Sequence, residues 1–535
     1  MEKSVFPSLP SSIQLGNEGN QVSGSPLKAP VTRNVCSRGH PARATNTHMS
    51  KWLNWLFRKF LLLIGILVAL FVLGGFEENW RGQRDWEKYV RQVEARGDRL
   101  DFKDLASPPV PDAQNFAMTP LLAPLFQNNT SPGAGLEYGD SLAKRWTLAG
   151  VAGQKEPSYG YFALGTHLDL GAWHAYLGAD VLTQMRLFEN DLREISAASR
   201  LPYARFPMRY EWGTRMDYPQ VKPLQKLAGL YKLRAYAELA AGETGKAFDD
   251  TETSFLLADS LSDEPVLVPQ LVRVAIWSMD LPVVWEGLAT GRWTDAQLAA
   301  LQADLARANF LKDLQLALRG EKASLNQMVA QMEAHPAWMK NDDGAGASLK
   351  KLTPNGIFRR MQLNFNLYSD KYMLNFVDLP QRRIRKDVIA AAEDCLQSYR
   401  PRTVLGIPIF NPYNILTCIA APVFTTVSLH SCYAQSMTDL AIVACALERY
   451  RRANGKFPGS LNDLVPTYLK AIPIDVVHGE QPHYHANADG TYLLYFKGWD
   501  GLDNGGKTIL LPDYPGSLDK KKSDWVWPFP APALR

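Results

Sequence analysis

The sequence predicts a mainly α-helical protein with an N-terminal transmembrane helix, an irregular helical-hairpin domain and a small C-terminal α+β module. Three observations lead there. An uncharged run extends from Phe60 to Phe76, apolar residues recur at helical spacing through much of residues 142–400, and strand-like alternation is confined to the last hundred residues. With 535 residues, the chain is long enough for several packed units. Hydrophobic residues at 46% and charged residues at 21% exclude a wholly disordered or fibrous chain. The formal net charge of +4 is unevenly placed. Lys3, Lys28, Arg33, Arg38, Arg43, Lys51, Arg58 and Lys59 face only Glu2 and Glu18 before residue 60, and the remainder is near neutral. That balance argues against nucleic acid as a partner.

Residues 1–48 are rich in Ser, Pro, Asn and Gly without apolar periodicity, and read as a disordered extension. Met49 opens "MSKWLNWLFRKF", which looks like a natural start, so the extension is either native or upstream of the true N-terminus. Residues 52–76 are the predicted anchor. The uncharged stretch between Lys59 and Glu77 spans ~25 Å as a helix, at the short end for a bilayer core. Trp52 and Trp55 fall at interfacial depth, and Arg58 and Lys59 can snorkel. Basic residues before the run and Glu77–Glu78 after it predict a single-pass protein of the cell (inner) membrane, N-terminus cytoplasmic and bulk outside. A cleaved signal peptide and a buried core helix are the alternatives; "VLGGF" offers glycine but no A-x-A site.

Residues 77–126 are expected to form a juxtamembrane helix and a proline-rich linker. Trp86, Tyr89, Val90 and Val93 share one side of Glu77–Arg96, and Gly97 offers a stop. Ser107–Pro124 is extended and proline-studded, a linker or a strap on the next domain. Residues 127–402 form the helical domain. Leu224, Leu227, Ala228, Tyr231, Ala235 and Leu239 repeat at helical spacing, Gly242–Gly245 make a turn, and Ala247, Thr251, Phe255 and Ala258 continue the pattern. This hairpin resembles a tetratricopeptide-type unit. A second cue, the capping box Thr294-x-x-Gln297, follows too far downstream for a regular ~34-residue array. Stacked hairpins of this kind offer a concave surface to a protein partner.

Residues 403–432 are expected to be an apolar connector broken by proline. No Asp, Glu, Lys or Arg occurs from Thr403 to Met437, yet Pro408, Pro412 and Pro422, with Asn411 and Asn414, divide it into pieces too short to span. The pieces read as a buried or membrane-facing loop and helix. A true second span would return the C-terminus to the cytoplasm. Of the cysteines Cys36, Cys395, Cys418, Cys432 and Cys445, none lies between Glu77 and Asp394, and a Cys418–Cys432 bridge is conceivable from spacing alone.

Residues 433–535 form the α+β module: a long helix ending at Asn454–Gly455, a short segment capped by Ser460, then strands "HYHA" and "TYLLYF" around "NADG". Here "ALERYRRANGKFPGSLNDLVPTYLKAIPID", followed by "YLLYFKGWDGLDNGG", resembles the soluble end of a type II secretion major pseudopilin. The resemblance covers about Tyr433–Trp527. It implies a pseudopilin-like fold and a calcium-holding loop, with Asp500, Asp503 and Asn504 supplying oxygens, glycines 501, 505 and 506 permitting a tight wrap, and Asp524 closing it. In that family a hydrophobic N-terminal helix runs straight into the soluble helix. Here the predicted anchor lies far upstream, which suggests a reused module.

Other candidate chemistry is thinner. "GDSL" at Gly139–Leu142 and "DVVH" at Asp475–His478 resemble two blocks of GDSL esterases, with Ser141 as nucleophile, His478 as base and Asp475 as orienter. However, "SPGAGLEY" rather than an apolar strand precedes the serine. "GETGKA" (Gly242–Ala247) lacks features of a phosphate loop and reads as a helix–helix turn. His167, His174 and Asp169, and the pair His483 and His485, have no fixed metal spacing. "RRIRKD" (Arg382–Asp387) and "DKKKSD" read as solvated faces. Should Thr403–Met437 touch the bilayer, Arg382, Arg383, Arg385 and Lys386 would be placed to meet anionic headgroups. The expected function is therefore a membrane-anchored extracytoplasmic scaffold or protein-binding protein, not an enzyme, with calcium as the only candidate cofactor. The alternative is a secretion or pilus-like envelope assembly component, and the third reading is an extracytoplasmic hydrolase using Ser141.

Overall fold

The computed structural model describes residues 46–98, 100–127, 131, 133–157, 164–334, 353–400, 402–404, 407–409, 411–512 and 517–531. The predicted disordered extension lies outside these, apart from its last three residues. The chain divides into two compact units, Met1–Leu70 and Phe71–Arg535, and is mainly helical.

Helix α1 (Asn46–Ala95) joins the predicted anchor and juxtamembrane helix without a break. In the first unit, its apolar side chains from Trp52 to Leu70 are exposed. In the second, Tyr89 and Val93 are buried as expected, and Gly97 turns the chain at φ +74°. The proline-rich segment is a strap. It bends through short 3-10 turns at Asp112–Gln114 and Phe116–Met118, and buries Phe116, Leu122 and Leu125. Asn115 fastens it: its Nδ2 donates to Arg205 O at 2.8 Å and its Oδ1 accepts from Arg205 N at 2.8 Å.

The body then builds from α2 (Pro124–Gln127), α3 (Ala134–Arg145), α4 (Leu170–Leu177), α5 (Val181–Met185), α6 (Glu189–Ala198), α7 (Val221–Ala241), α8 (Thr244–Asp259), α9 (Leu267–Ala289), α10 (Asp295–Leu305) and α11 (Phe310–Ala334). Helices α7, α8 and α9 pack on one another as successive hairpins. Gly242 caps α7 at φ +83°, a left-handed conformation that glycine adopts without the steric cost of a Cβ. The Thr294–Gln297 capping box opens α10 as predicted. Beyond it come α12 (Asn355–Lys371), the hairpin β1 (Val377–Asp378) and β2 (Arg383–Ile384), and α13 (Lys386–Ser398). A second hairpin, β3 (Arg402–Val404) with β4 (Ile407–Ile409), leads to α14 (Ile415–Asn454).

Helix α14 departs most from expectation. The connector 403–432 does not break at Pro422, which lies inside this 40-residue helix. Pro422 lies on the exposed side of the helix. From Val427 to Glu448 α14 is buried on nearly every side against α9, α10, α11, α12 and α13. A helix apolar all round belongs in a core. The long helix expected to start the C-terminal module is thus also the central helix of the helical body. Cys418 and Cys432 ride on it 14 positions apart, ~21 Å along its axis, far beyond disulfide reach.

The module itself closes with an antiparallel sheet β5 (His483–Ala486), β6 (Tyr492–Phe496) and β7 (Trp525–Trp527), with β6 central. The register pairs Tyr484 with Leu494 and Leu494 with Trp527, so Leu494 and Trp527 bury on one face beneath α14.

Among the described residues, three helices are long and apolar enough to cross a membrane, within Lys51–Ala95, Leu267–Ala289 and Pro412–Asn454. The most apolar stretch of the first is 0% buried, of the second 67% and of the third 44%. Those fractions separate a lipid-ready surface from a core helix.

Candidate functional site

The β1–β2 hairpin and the turn before β5 enclose a polar cleft of about 440 Å³. The hairpin is made possible by Arg382, which takes φ +50°, unusual for a residue with a Cβ. Its guanidinium Nη2 donates to both oxygens of buried Asp439 on α14, at 2.8 and 2.9 Å, which holds the strained turn in place. The neighbouring strand locks onto the module through Ile384 N to Val476 O at 2.8 Å.

Arg383 lines the cleft and donates to His478 O at 3.0 Å. Its guanidinium carbon is 3.1 Å from where a Cβ on Gly479 would stand, and Gly479 has φ +77°. Lys386 donates to Trp499 O and sits 5.7 Å from the Trp499 ring centroid. Arg385 pairs with Asp387 at 3.3 Å, and Asp378 accepts from Gln381 N at 3.1 Å. Three cations thus face two carboxylates around one opening, a weakly positive cradle suited to a single acidic side chain rather than a polyanion. The "RRIRKD" run is therefore more than a solvated face. Of the four basic residues considered for headgroup contact, Arg382 is tied to Asp439 instead.

Of the predicted calcium residues, Asp500, Asp503 and Asn504 follow Trp499 in the chain, and Asp524 lies farther on. Asp500 Oδ1 accepts from Leu502 N at 3.0 Å. Asp503 Oδ1 accepts from Gly505 N and Tyr495 Oη, both at 2.9 Å, and these bonds hold its carboxyl below the usual range. Asp524 is fully buried and accepts from Asn504 N at 3.0 Å and Gly506 N at 2.8 Å. Asn504 Nδ2 donates to Lys522 O at 3.2 Å. Glycines 501, 505 and 506 all have positive φ, the wrap that the resemblance implies. Each carboxylate has an oxygen engaged by a loop or strand donor, and Asp503 also lies 3.5 Å from His483 Nδ1. Among the described residues, no three His, Cys, Asp or Glu side chains gather as a metal-ligand set.

The esterase constellation does not assemble. Ser141 is exposed in the middle of α3, whose neighbours are α2 and α7. Asp475 accepts from Val477 N at 3.0 Å and His478 N at 3.2 Å, so it shapes a turn rather than orienting an imidazole. His478 Nε2 lies 2.8 Å from Gly498 O, an acceptor only, which makes that nitrogen a donor and not a base. His167 and His174 have separate partners. His167 bridges Glu286, at 2.9 Å, and Ala531 O, at 3.0 Å, whereas His174 reaches Asp180 at 3.4 Å. Asp169 caps α4. His483 stacks on Tyr495 at 4.8 Å, and His485 is exposed.

Sequence reading missed the buried charge in the hairpins. Arg234 clamps Asp250 through two bonds of 2.6 Å, and Lys232 is 2% exposed, its ammonium pushed down to about 8 by burial. Both residues sit in an apolar-looking helix repeat; Glu238 lies 3.9 Å from Arg234 one turn on, but the acidic groups Asp250 and Asp280 come from later helices, which the repeat does not signal. No protein-family model matches this chain, and comparison with curated proteins and with solved structures finds no significant similarity.

Proposed function

We propose that this protein is a membrane-anchored scaffold, its helical body held outside the cytoplasm by an uncleaved N-terminal helix and available to protein partners. One observation carries the reading. Helix α1 leaves its apolar stretch unburied yet binds the body through Tyr89 and Val93 farther along. A removable leader has no need of such a joint. The weakly basic cleft beside Trp499 is the surface proposed to receive an acidic segment of a partner. Affinity capture from native membranes tests it. Partners retained by the wild type and lost on Arg385→Glu/Lys386→Glu support the reading, and an unchanged set rejects the cleft.

Envelope assembly is the second reading, favoured by the apolar first half of α14 running directly into its soluble half, as pseudopilin resemblance requires. Leu502, Ile509 and Leu510 are exposed on the module and would form the assembly face. Assembly predicts higher-order complexes lost on Leu510→Asp, whereas a scaffold predicts none to lose. Calcium at Asp500, Asp503, Asn504 and Asp524 is a separate proposal supported by the resemblance and the glycine wrap. It requires a melting temperature raised by millimolar calcium, reversed by chelator and abolished in Asp500→Asn; no shift rejects it.

A further inference from the structure

We propose that the first three turns of α14 lie against the bilayer surface, giving the anchored protein a second, one-sided lipid contact. Ile415, Ile419, Pro422, Val423 and Thr426 fall at helical spacings of four, three, one and three, and all are exposed. Ile419 is 67% and Val423 50% exposed. The opposite side, Thr417, Ala421, Phe424 and Val427, is buried in the body. No charged side chain occurs on the helix before Asp439, so contact with lipid desolvates no charge. The stripe is too narrow for a span, because a helix crossing the bilayer here would have to leave the core it fills. A helix with one apolar face and one docked face suits shallow interfacial burial.

The occupant is argued from what this stripe is tied to. Gly75, in the last apolar turn of α1, packs on Pro354, with 3.6 Å from its Cβ position to Pro354 Cγ. One turn on, Asn79 Oδ1 accepts from Gly356 N at 2.7 Å. Arg360, ~9 Å along α12 from Pro354, lies 3.7 Å from Glu78 and 3.6 Å from Asp85, and stacks on Tyr413 at 4.9 Å. Asn364 Nδ2 donates to Asn414 Oδ1 at 2.8 Å. After the Gly75–Pro354 contact each step is polar, and the chain of contacts ends at Asn414, next to Ile415. Trp80, 62% exposed immediately past the apolar run, is the kind of residue that settles at headgroup depth. The end of the membrane segment and the start of the stripe are therefore held by the same helix, α12.

This inference rests on α1 being a membrane anchor, and the experiment separates the two. The full chain is reconstituted into phosphatidylethanolamine–phosphatidylglycerol vesicles with a benzophenone amino acid at position 62, 419, 423 or 489, irradiated, and its adducts are identified by mass spectrometry. Lipid adducts at 419 and 423 comparable with those at 62, and absent at the hairpin tip 489, support the proposal. Adducts at 62 with none at 419 or 423, or protein–protein adducts there, overturn it while leaving the anchor intact. Absence of lipid adducts at 62 as well overturns both.

Discussion

Arg360 stacks on Tyr413 while lying within 4 Å of Glu78 and Asp85, so one guanidinium joins the second half of α1 to the start of α14. The carboxylates and the ring come from segments more than 300 residues apart in sequence, and α12 brings them together. The joint is polar and partly buried.

The backbone makes the joint tight. A Cβ on Gly356 would stand 2.0 Å from Glu78 O, and one on Gly82 would stand 2.5 Å from Gly356 O. Gly356→Val therefore forces α1 away from α12. We expect a loss of about 1–3 kcal/mol in body stability and faster tryptic cleavage at Arg84 and Lys88, with membrane association unchanged. Wild-type cleavage kinetics in the variant would show that the close approach is not required.

The Arg382–Asp439 pair should respond asymmetrically. Asp439 is 4% exposed at its side chain and Arg382 39%. Arg382→Ala leaves a buried carboxylate with Gln435 as its remaining donor, and is expected to cost about 3 kcal/mol. Asp439→Asn leaves a guanidinium that water can reach, and should cost clearly less. Urea melts of both variants check the order; equal losses would mean that burial of the carboxylate is not what matters.

Glu264 is 5% exposed, and burial pushes its carboxyl up to about 7, against a hydrogen bond from Tyr210 at 3.3 Å. The folded chain then holds this proton where the unfolded chain has lost it. Its contribution to stability is full below about 4.5 and falls as pH rises through 7, by up to about 3 kcal/mol. Glu264→Gln keeps an acceptor for Tyr210 and removes the titration. Its melting temperature should match wild type near pH 4.5 and exceed it at pH 8; a constant offset would contradict the assignment.

Asp524 closes the 500–506 loop by accepting two backbone bonds in a fully buried position. Asp524→Ala should cost about 2–3 kcal/mol even in chelator, measured by denaturant unfolding of the full chain. Destabilisation seen only when calcium is present would assign the residue to the ion instead.

Local chemistry was legible. The Thr294–Gln297 box, the Gly242 cap, the Ser460 cap and the "NADG" hairpin each depend on residues a few positions apart, and each formed where expected. The misreadings involve distant partners. Pro422 reads as a break until the packing of α14 shows that it lies on the exposed side. Strand β7 is short and separated from β6 by a long loop, so Trp525 and Trp527 reveal themselves only against Leu494 and Phe496. Likewise, "RRIRKD" looks like surface until Asp439, 57 positions on, claims Arg382.

Location is the claim on which the rest depends. Spheroplasts of a bacterial host expressing the full chain with a C-terminal epitope, treated with external protease and then extracted with alkaline carbonate, test it most directly. The account predicts that the chain resists extraction and that the epitope is lost to external protease. A protected epitope, or a chain released by carbonate, would contradict it.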